Sequence, residues 1–265
     1  MDQKIHNKDW EVPDSLITEM KPRKSRFCLC IPIINEGKKF QQQLVNLSSF
    51  SDIIDIIICD GGSTDGSTEP DFLKKHGVRS LLIKTGPGKL SAQLRMGYAY
   101  ALSQGYEGII TIDGNGKDDV STIPNFIKAL DKGFDLIQGS RFIPGGKAIN
   151  TPLSRLIAIK LIHAPFISLL AGFHYTDTTN GYRAYSRKLL ADRRIAPFRN
   201  MFETYELLAY LSVRAPRLGF KVREIPVTRC YPKNTKTPTK ISPFKGNLKL
   251  LEILFFLACG KYDPK

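Results

Sequence analysis

From Arg26 onward, short apolar blocks rich in isoleucine recur along the chain: FCLCIPI, DIIDIIICD, SLLIK, GIITID and FDLIQGS. Each is bounded by Gly, Asp or Pro, a pattern that predicts buried strands. Between them, over residues 37–50, 68–76, 90–104 and 121–131, apolar positions recur at helical spacing, as in Leu94, Tyr98, Ala101 and Leu102. Strand and helix therefore alternate, which predicts an α/β domain with a mostly parallel sheet flanked by helices, binding its ligands beyond the carboxyl ends of the strands. Polar residues gather in the corresponding loops, PIINEG, DGGSTDGS, TGPGK and DGNGKDD.

Residues 151–172 open with Thr and Pro, a helix-start signal, and then turn strongly apolar with an interruption at Pro165. The segment reads as a core helix or a membrane-facing one. A further helix is predicted over about 202–214 and a short strand pair over 220–229. Past Tyr231 come seven lysines against two acids, with Pro232, Pro238 and Pro243 delaying regular structure until about Lys245. The closing stretch NLKLLEILFFL is amphipathic and calls for a core, a partner or a lipid interface. The expected organisation is a polar extension over 1–25, an α/β domain over 26–230 and a basic amphipathic segment over 231–265.

Composition narrows the class. In 265 residues, 42% hydrophobic and 24% charged, there is material for a real core, which excludes long-range disorder and low-complexity classes. Five cysteines without a C-x-x-C pair argue against a disulfide framework and fit a reducing cytosol. No run of 18 apolar residues and no hydrophobic leader occur, so neither a span nor a signal peptide is expected. His6, His76, His163 and His174 lack metal-ligand spacing, and Cys28 and Cys30 read as small apolar packing residues. The net charge of +14 attracts anions: nucleic acid, phosphorylated ligands or an acidic leaflet.

Two loops carry candidate chemistry. Asp60 ends one strand before GGSTD, and Asp113 ends another before GNGKDD, where clustered oxygens suit a hard divalent cation. Each also reads as a capped turn, with Asp118 and Asp119 suiting a helix dipole. The combination Pro32-x-x-Asn35-Glu36, Asp60-Gly-Gly-Ser-Thr-Asp65 and Asp113-Gly-Asn115 resembles the family-two inverting glycosyltransferases of the GT-A fold. Gly88-Lys89 through Arg95-x-Gly97, Gly139-Ser-Arg141-Phe and Asp177-Thr-Thr-Asn180-Gly-Tyr-Arg183-Ala extend it. Within that family the match resembles the dolichyl- or polyprenyl-phosphate mannose synthase branch.

The resemblance implies that Pro32, Glu36 and Asp60 line the nucleoside pocket, that Lys89 and Arg95 approach the nucleotide, and that Asp113 and Asn115 hold Mg²⁺ or Mn²⁺ with the diphosphate. Asn115 stands where relatives carry a carboxylate, and Lys117 where the branch usually has Gln. The metal site thus loses a charge, and Lys117 could neutralise the diphosphate directly. A phosphate-gripping Arg-x-x-Gly-x-Ser-Lys element is reduced to Thr239-Lys240, with Lys233 or Lys236 standing in for the arginine. Arg141 follows a buried strand, where a guanidinium fork can meet phosphate; Arg155 reads as a solvated side chain. The family places Asp177 and Arg183 beside the acceptor. A hydroxyl acceptor needs a base from Asp177, Glu203 or Glu206, whereas a phosphate acceptor needs none.

The resulting expectation is an inverting transferase moving a sugar from a UDP- or GDP-linked donor to a polyprenyl-phosphate-type lipid. It would sit on the cytoplasmic face of a membrane and serve the cell envelope, with Lys233, Lys236, Lys240, Lys245 and Lys249 facing anionic headgroups. The alternatives are a transferase acting on a sugar hydroxyl in surface polysaccharide synthesis and a basic nucleic-acid-binding protein. The acidic loops, which repel nucleic-acid phosphates, weigh against the last.

Overall fold

The computed structural model describes residues 9–232 and 245–264. Four strands, β2 (Phe27–Ile33), β3 (Asp55–Asp60), β4 (Val78–Lys84) and β5 (Gly108–Thr111), run parallel in the order β4-β3-β2-β5. Strand order reverses beside β2, the topological switch at which open α/β sheets bind ligands. The loops that follow β3 and β5, carrying Asp60 and Asp113, therefore share one edge, separated by two inter-strand spacings, roughly 10 Å.

Side chains of β2 and β3 point alternately into two cores. Cys28, Cys30, Ile57 and Cys59 join α3 (Leu90–Ser103) in one; Leu29, Ile31, Ile56 and Ile58 join α1 (Gly37–Leu47) and α4 (Ile123–Asp131) in the other. Every residue of both strands is buried, as a sheet covered on both faces requires. Pro32 lies just past the last β2–β5 register pair, Cys30 with Thr111, where its missing N–H costs that ladder nothing.

The periodicity anticipated these elements and β6 (Leu136–Ser140), but not how the rest of the sheet is assembled. β8 (Arg183–Ser186), to which the periodicity assigned no element, inserts antiparallel between β5 and β6. The predicted strand pair is two strands with different partners: β9 (Val222–Pro226) runs parallel to β6, and β10 (Thr228–Cys230) parallel to β7 (Lys147–Ile149). Within the expected polar extension, β1 (Ser15–Glu19) pairs antiparallel with β4 and closes that edge of the sheet. Its partly buried Ile17 packs on the core.

Residues Leu153–Ala171 make one helix of 19 residues, formed by α5 (Leu153–Ile157), a π segment (Ala158–His163) and α6 (Ala164–Ala171). The wide turn falls just before Pro165, which cannot donate to the carbonyl four residues back. The remaining helices are α2 (Pro70–Lys75), α7 (Arg187–Leu190), α8 (Glu206–Arg217) and α9 (Lys245–Ala258). α9 buries Ile253, Leu254 and Leu257, and packs against α6 and α8.

Gly97 sets how closely α3 approaches the sheet, since a Cβ there would overlap Cys59 Sγ. Gly97→Val should lower stability by about 1–3 kcal/mol through overpacking, read as a fall in the thermal unfolding midpoint. An unchanged midpoint would remove this account of the helix–sheet spacing.

Candidate active site

Hydrogen bonds stitch the loops at the switch point together. Asn35, at φ 49°, donates its N–H to Ser63 Oγ (2.9 Å), and its Oδ1 accepts from the Thr64 N–H (2.8 Å). The Gly37 N–H donates to Ser67 Oγ (2.8 Å). Asp60 is 1% exposed, and its carboxylate accepts from the N–H (2.9 Å) and hydroxyl (2.5 Å) of Ser63. The acid expected to line the nucleoside pocket is thus turned into its own loop, as the capped-turn reading had it. Pro32 is buried in β2, and Glu36 is partly exposed at the start of α1.

On the β5 side, Gln43 from α1 clamps the next loop at two points: Nε2 donates to the Asp113 carbonyl, and Oε1 accepts from the Gly116 N–H, both at 2.9 Å. Asp113 Oδ2 lies 2.9 Å from Arg229 Nη2, while Arg229 Nη1 donates to Asp118 Oδ2. One β10 guanidinium therefore bridges two carboxylates of the 113–119 loop. Burial lifts the Asp118 carboxyl to about 6, against the pull of Arg229. Asp118 Oδ1 and Asn180 Nδ2 are buried polar atoms with no hydrogen-bond partner among the described residues.

Lys117, Arg155 and Arg229 surround the Tyr231 ring at 5.2, 5.6 and 5.8 Å from its centroid, within cation–π range. Arg155 Nη1 also donates to the Tyr231 hydroxyl at 2.8 Å, so it is not the free surface arginine its sequence position suggested. Burial, then Arg229, pulls the Lys117 ammonium below its ordinary value. Burial works to raise the Tyr231 phenol, but Arg229 and Arg155 outweigh it, and the group lies below its ordinary value. A groove of about 670 Å³ opens beside this cluster, lined by Lys38, Lys39 and Gln43 on one wall and Asn115, Lys117 and Asp118 on the other.

Several other candidates prove to be buried braces. Arg141 Nε and Nη2 grip Asp177 at 2.6 and 2.9 Å, and Nη2 also reaches Thr179 Oγ1 at 2.9 Å. With side chains 1% and 0% exposed, Arg141 is no open phosphate fork and Asp177 no accessible base. Arg183 donates to the carbonyls of Asn180, Thr178 and Leu208, and Arg95 to those of Phe202 and Glu11. Both guanidiniums hold backbone instead of meeting acceptor or nucleotide. Glu206 is buried, accepting from the N–H and hydroxyl of Thr204. Glu203 and Lys89 are exposed, the Lys89 N–H donating to the Glu203 carbonyl at 2.8 Å. His163 is a core histidine, Nδ1 2.6 Å from Thr178 Oγ1, pulled down to about 4 by burial and then Arg183. Lys233, Lys236, Thr239 and Lys240 lie outside the described residues.

The sequence reading missed Gln43 and Arg229, although each carried a signal. Gln43 follows Phe40 by three and precedes Leu47 by four, a polar residue on the buried face of its helix. Arg229 shares strand parity with buried Val227 and Tyr231, which marks it as inward-facing.

A sequence profile described as "Glycosyl transferase family 2" matches residues 28–194. The chain belongs to that family. It is therefore a glycosyltransferase, with the GT-A fold that its sheet order reproduces. Family relatives include the polyprenol monophosphomannose synthase of Mycolicibacterium smegmatis, 28% identical over 77% of this chain and 77% of the relative. Another is the undecaprenyl-phosphate mannosyltransferase of Micrococcus luteus, 27% identical over 77% of this chain and 83% of the relative. Among solved structures, glucosyl-3-phosphoglycerate synthase from Mycobacterium tuberculosis in complex with UDP superposes with a TM-score of 0.64 at 17% identity. That alignment covers 90% of this chain and 81% of the other. The same protein is also solved with Mn²⁺, UDP and phosphoglyceric acid (TM-score 0.63, 17% identity, 90% and 79% coverage).

The residues of this family-two chain fit a divalent ion poorly as they are arranged. A hard cation needs several free oxygen donors. Here Asp113 Oδ2 is taken by Arg229, Asn115 turns its amide nitrogen toward the same oxygen at 3.4 Å, and its own oxygen accepts from the Lys117 N–H at 3.3 Å. No group of three His, Cys, Asp or Glu side chains converges among the described residues.

Two variants test this geometry. A Cβ at Gly181 would overlap Asp113 Oδ1, so Gly181→Ala should cut sugar transfer about a hundredfold by displacing that carboxylate while leaving the unfolding midpoint nearly unchanged. Asp177→Asn should instead cost about 3–5 kcal/mol of stability by stripping the buried Arg141 of its charge partner, measured by chemical denaturation.

Proposed function

We propose that this family-two transferase moves a sugar from a UDP- or GDP-linked donor to a polyprenyl phosphate, working as a peripheral protein on the cytoplasmic face of a membrane. The observation that carries this reading is the surface of Leu153–Ala171. Leu153, Leu161 and Leu169 are 71%, 72% and 79% exposed, with Ile157 and Ile162 half-exposed. Its mean hydropathy is 1.6, enough by length and composition to cross a membrane. Yet Ile159, Ala164, Ile167 and Ala171 are buried against the protein, which suits a helix lying in an interface. α9, packed on α6, exposes Leu248, Leu251 and Phe255 along one face.

The apolar helix also leans on the candidate site. Arg155 bonds Tyr231, and Lys160 Nζ lies 4.9 Å from the Phe142 ring centroid. An acceptor with a lipid tail and a phosphate head matches that juxtaposition of apolar surface and cations. Relatives named for mannosylating polyprenol and undecaprenyl phosphate support the same acceptor class.

In such a transfer a phosphate oxygen of the acceptor bonds to the anomeric carbon as the bond from that carbon to the donor diphosphate breaks. The electron pair of the broken bond leaves with the nucleoside diphosphate, and the configuration inverts. A phosphate is already ionised and needs no general base. The sealing of Asp177 and Glu206 removes two of the three candidate bases and leaves the exposed Glu203 as the one a hydroxyl acceptor would have to use.

The test is incubation with UDP- and GDP-sugars and a polyprenyl phosphate in anionic vesicles. Sugar should enter a product extracted by organic solvent; a product found only in the aqueous phase would overturn the acceptor assignment. Leu161→Asp with Leu169→Asp should weaken cosedimentation with those vesicles about tenfold or more while leaving the circular dichroism spectrum unchanged.

A further inference from the structure

The charges around Asp113 favour an anion over a metal ion. Two carboxylates, Asp113 and Asp118, share Arg229, while Lys117 and Arg155 lie 5.2 and 5.6 Å from the centroid of the neighbouring Tyr231 ring. Three cations thus face two acids. Placing a dication there sets it against like charges in a poorly hydrated space, whereas a diphosphate meets net attraction. Arg229 already neutralises the carboxylates that a metal would otherwise bridge. Lys117, 8% exposed, lines the groove beside Asn115.

We infer that the donor diphosphate is received by side-chain cations, with Lys117 as its direct contact and Arg229 as the resident counter-ion that positions Asp113 and Asp118, and that donor binding needs no divalent metal. The inference rests on the nucleotide-sugar donor reading above. In this arrangement Asp113 is held by Arg229 while the diphosphate lies over the ammonium. Arg155, fixed by the Tyr231 hydroxyl, adds charge from the helix that faces the lipid. The two substitutions that set this loop apart then form a single change: replacing an acid by Asn115 lowers metal affinity, and introducing Lys117 supplies the charge the metal would have brought.

The experiment titrates the full-length protein with UDP and with GDP by calorimetry, once in EDTA and once in Mn²⁺. Mn²⁺ alone is followed separately by the loss of its free-ion paramagnetic resonance signal. At least one nucleotide should bind in EDTA, with an affinity that Mn²⁺ changes by less than about threefold, and Lys117→Ala should weaken it about tenfold. The native chain should leave the free Mn²⁺ signal intact. The double variant Asn115→Asp with Lys117→Gln, which restores an acid and removes a cation, should deplete that signal and make nucleotide binding sensitive to EDTA.

Binding that appears only with Mn²⁺, or stoichiometric Mn²⁺ uptake by the native chain, overturns the inference and leaves the donor reading standing. Failure of both nucleotides under both conditions overturns the donor reading and the inference together. Because Arg229→Gln leaves buried Asp118 and part-buried Asp113 uncompensated and threatens folding, Arg229→Lys is the variant to use at that position. It should retain metal-independent nucleotide binding, and acquisition of a Mn²⁺ requirement by Arg229→Lys would count against the counter-ion role.

Discussion

A guanidinium withdrawn from water must be met by acids or by carbonyl oxygens, and Arg229, met by two acids, organises the loop at the candidate site. Its two arms reach Asp113 and Asp118 in a loop that Gln43 and backbone hydrogen bonds to Thr228 and Cys230 also hold. Removing one member of such a cluster leaves a buried charge uncompensated, a penalty of about 3–5 kcal/mol. The same reasoning applies one layer away, where Arg141 and Asp177 close on each other, and beside it, where Arg183 spans three backbone carbonyls. Arg95, Arg141, Arg183 and Arg229 are interior braces, so the positive formal charge overstates what the surface near the site offers.

The parallel half of the sheet was legible because each of its strands carries a run of apolar residues and its helices keep their period. β8 was not: Arg183 to Ser186 includes an arginine, which a strand-pattern reading rejects, and only the tertiary fold supplies the carbonyls that satisfy it. β1 escaped notice because it is an edge strand with one half-buried isoleucine, too weak a signal against its polar surroundings. β7 and β10 are three residues each and find each other across a long stretch of chain, a pairing no local pattern encodes.

For the site, the positions of Asp60, Asp113 and Lys117 at neighbouring strand ends followed from the alternation of elements. Their partners did not follow. The side chain of Asp60 turns inward because Ser63 lies three residues away, within reach of a local turn, and that competition between a ligand and a nearby hydroxyl is invisible in a motif. Asp177 was legible as a motif residue, but its commitment to Arg141 depends on β6 and the 177–180 loop lying side by side. Arg155 joined the site only because the apolar helix brings it beneath Tyr231.

The hydrogen bonds that join the Asn35 and Ser63 loops bear on timing as well as shape. Loops already bound to one another have few conformations left to lose when a ligand arrives, so the ordering entropy of that edge belongs to folding and not to association. A ligand binding there meets a nearly finished surface, and its arrival rate is then governed by diffusion and charge, without a wait for those loops to rearrange.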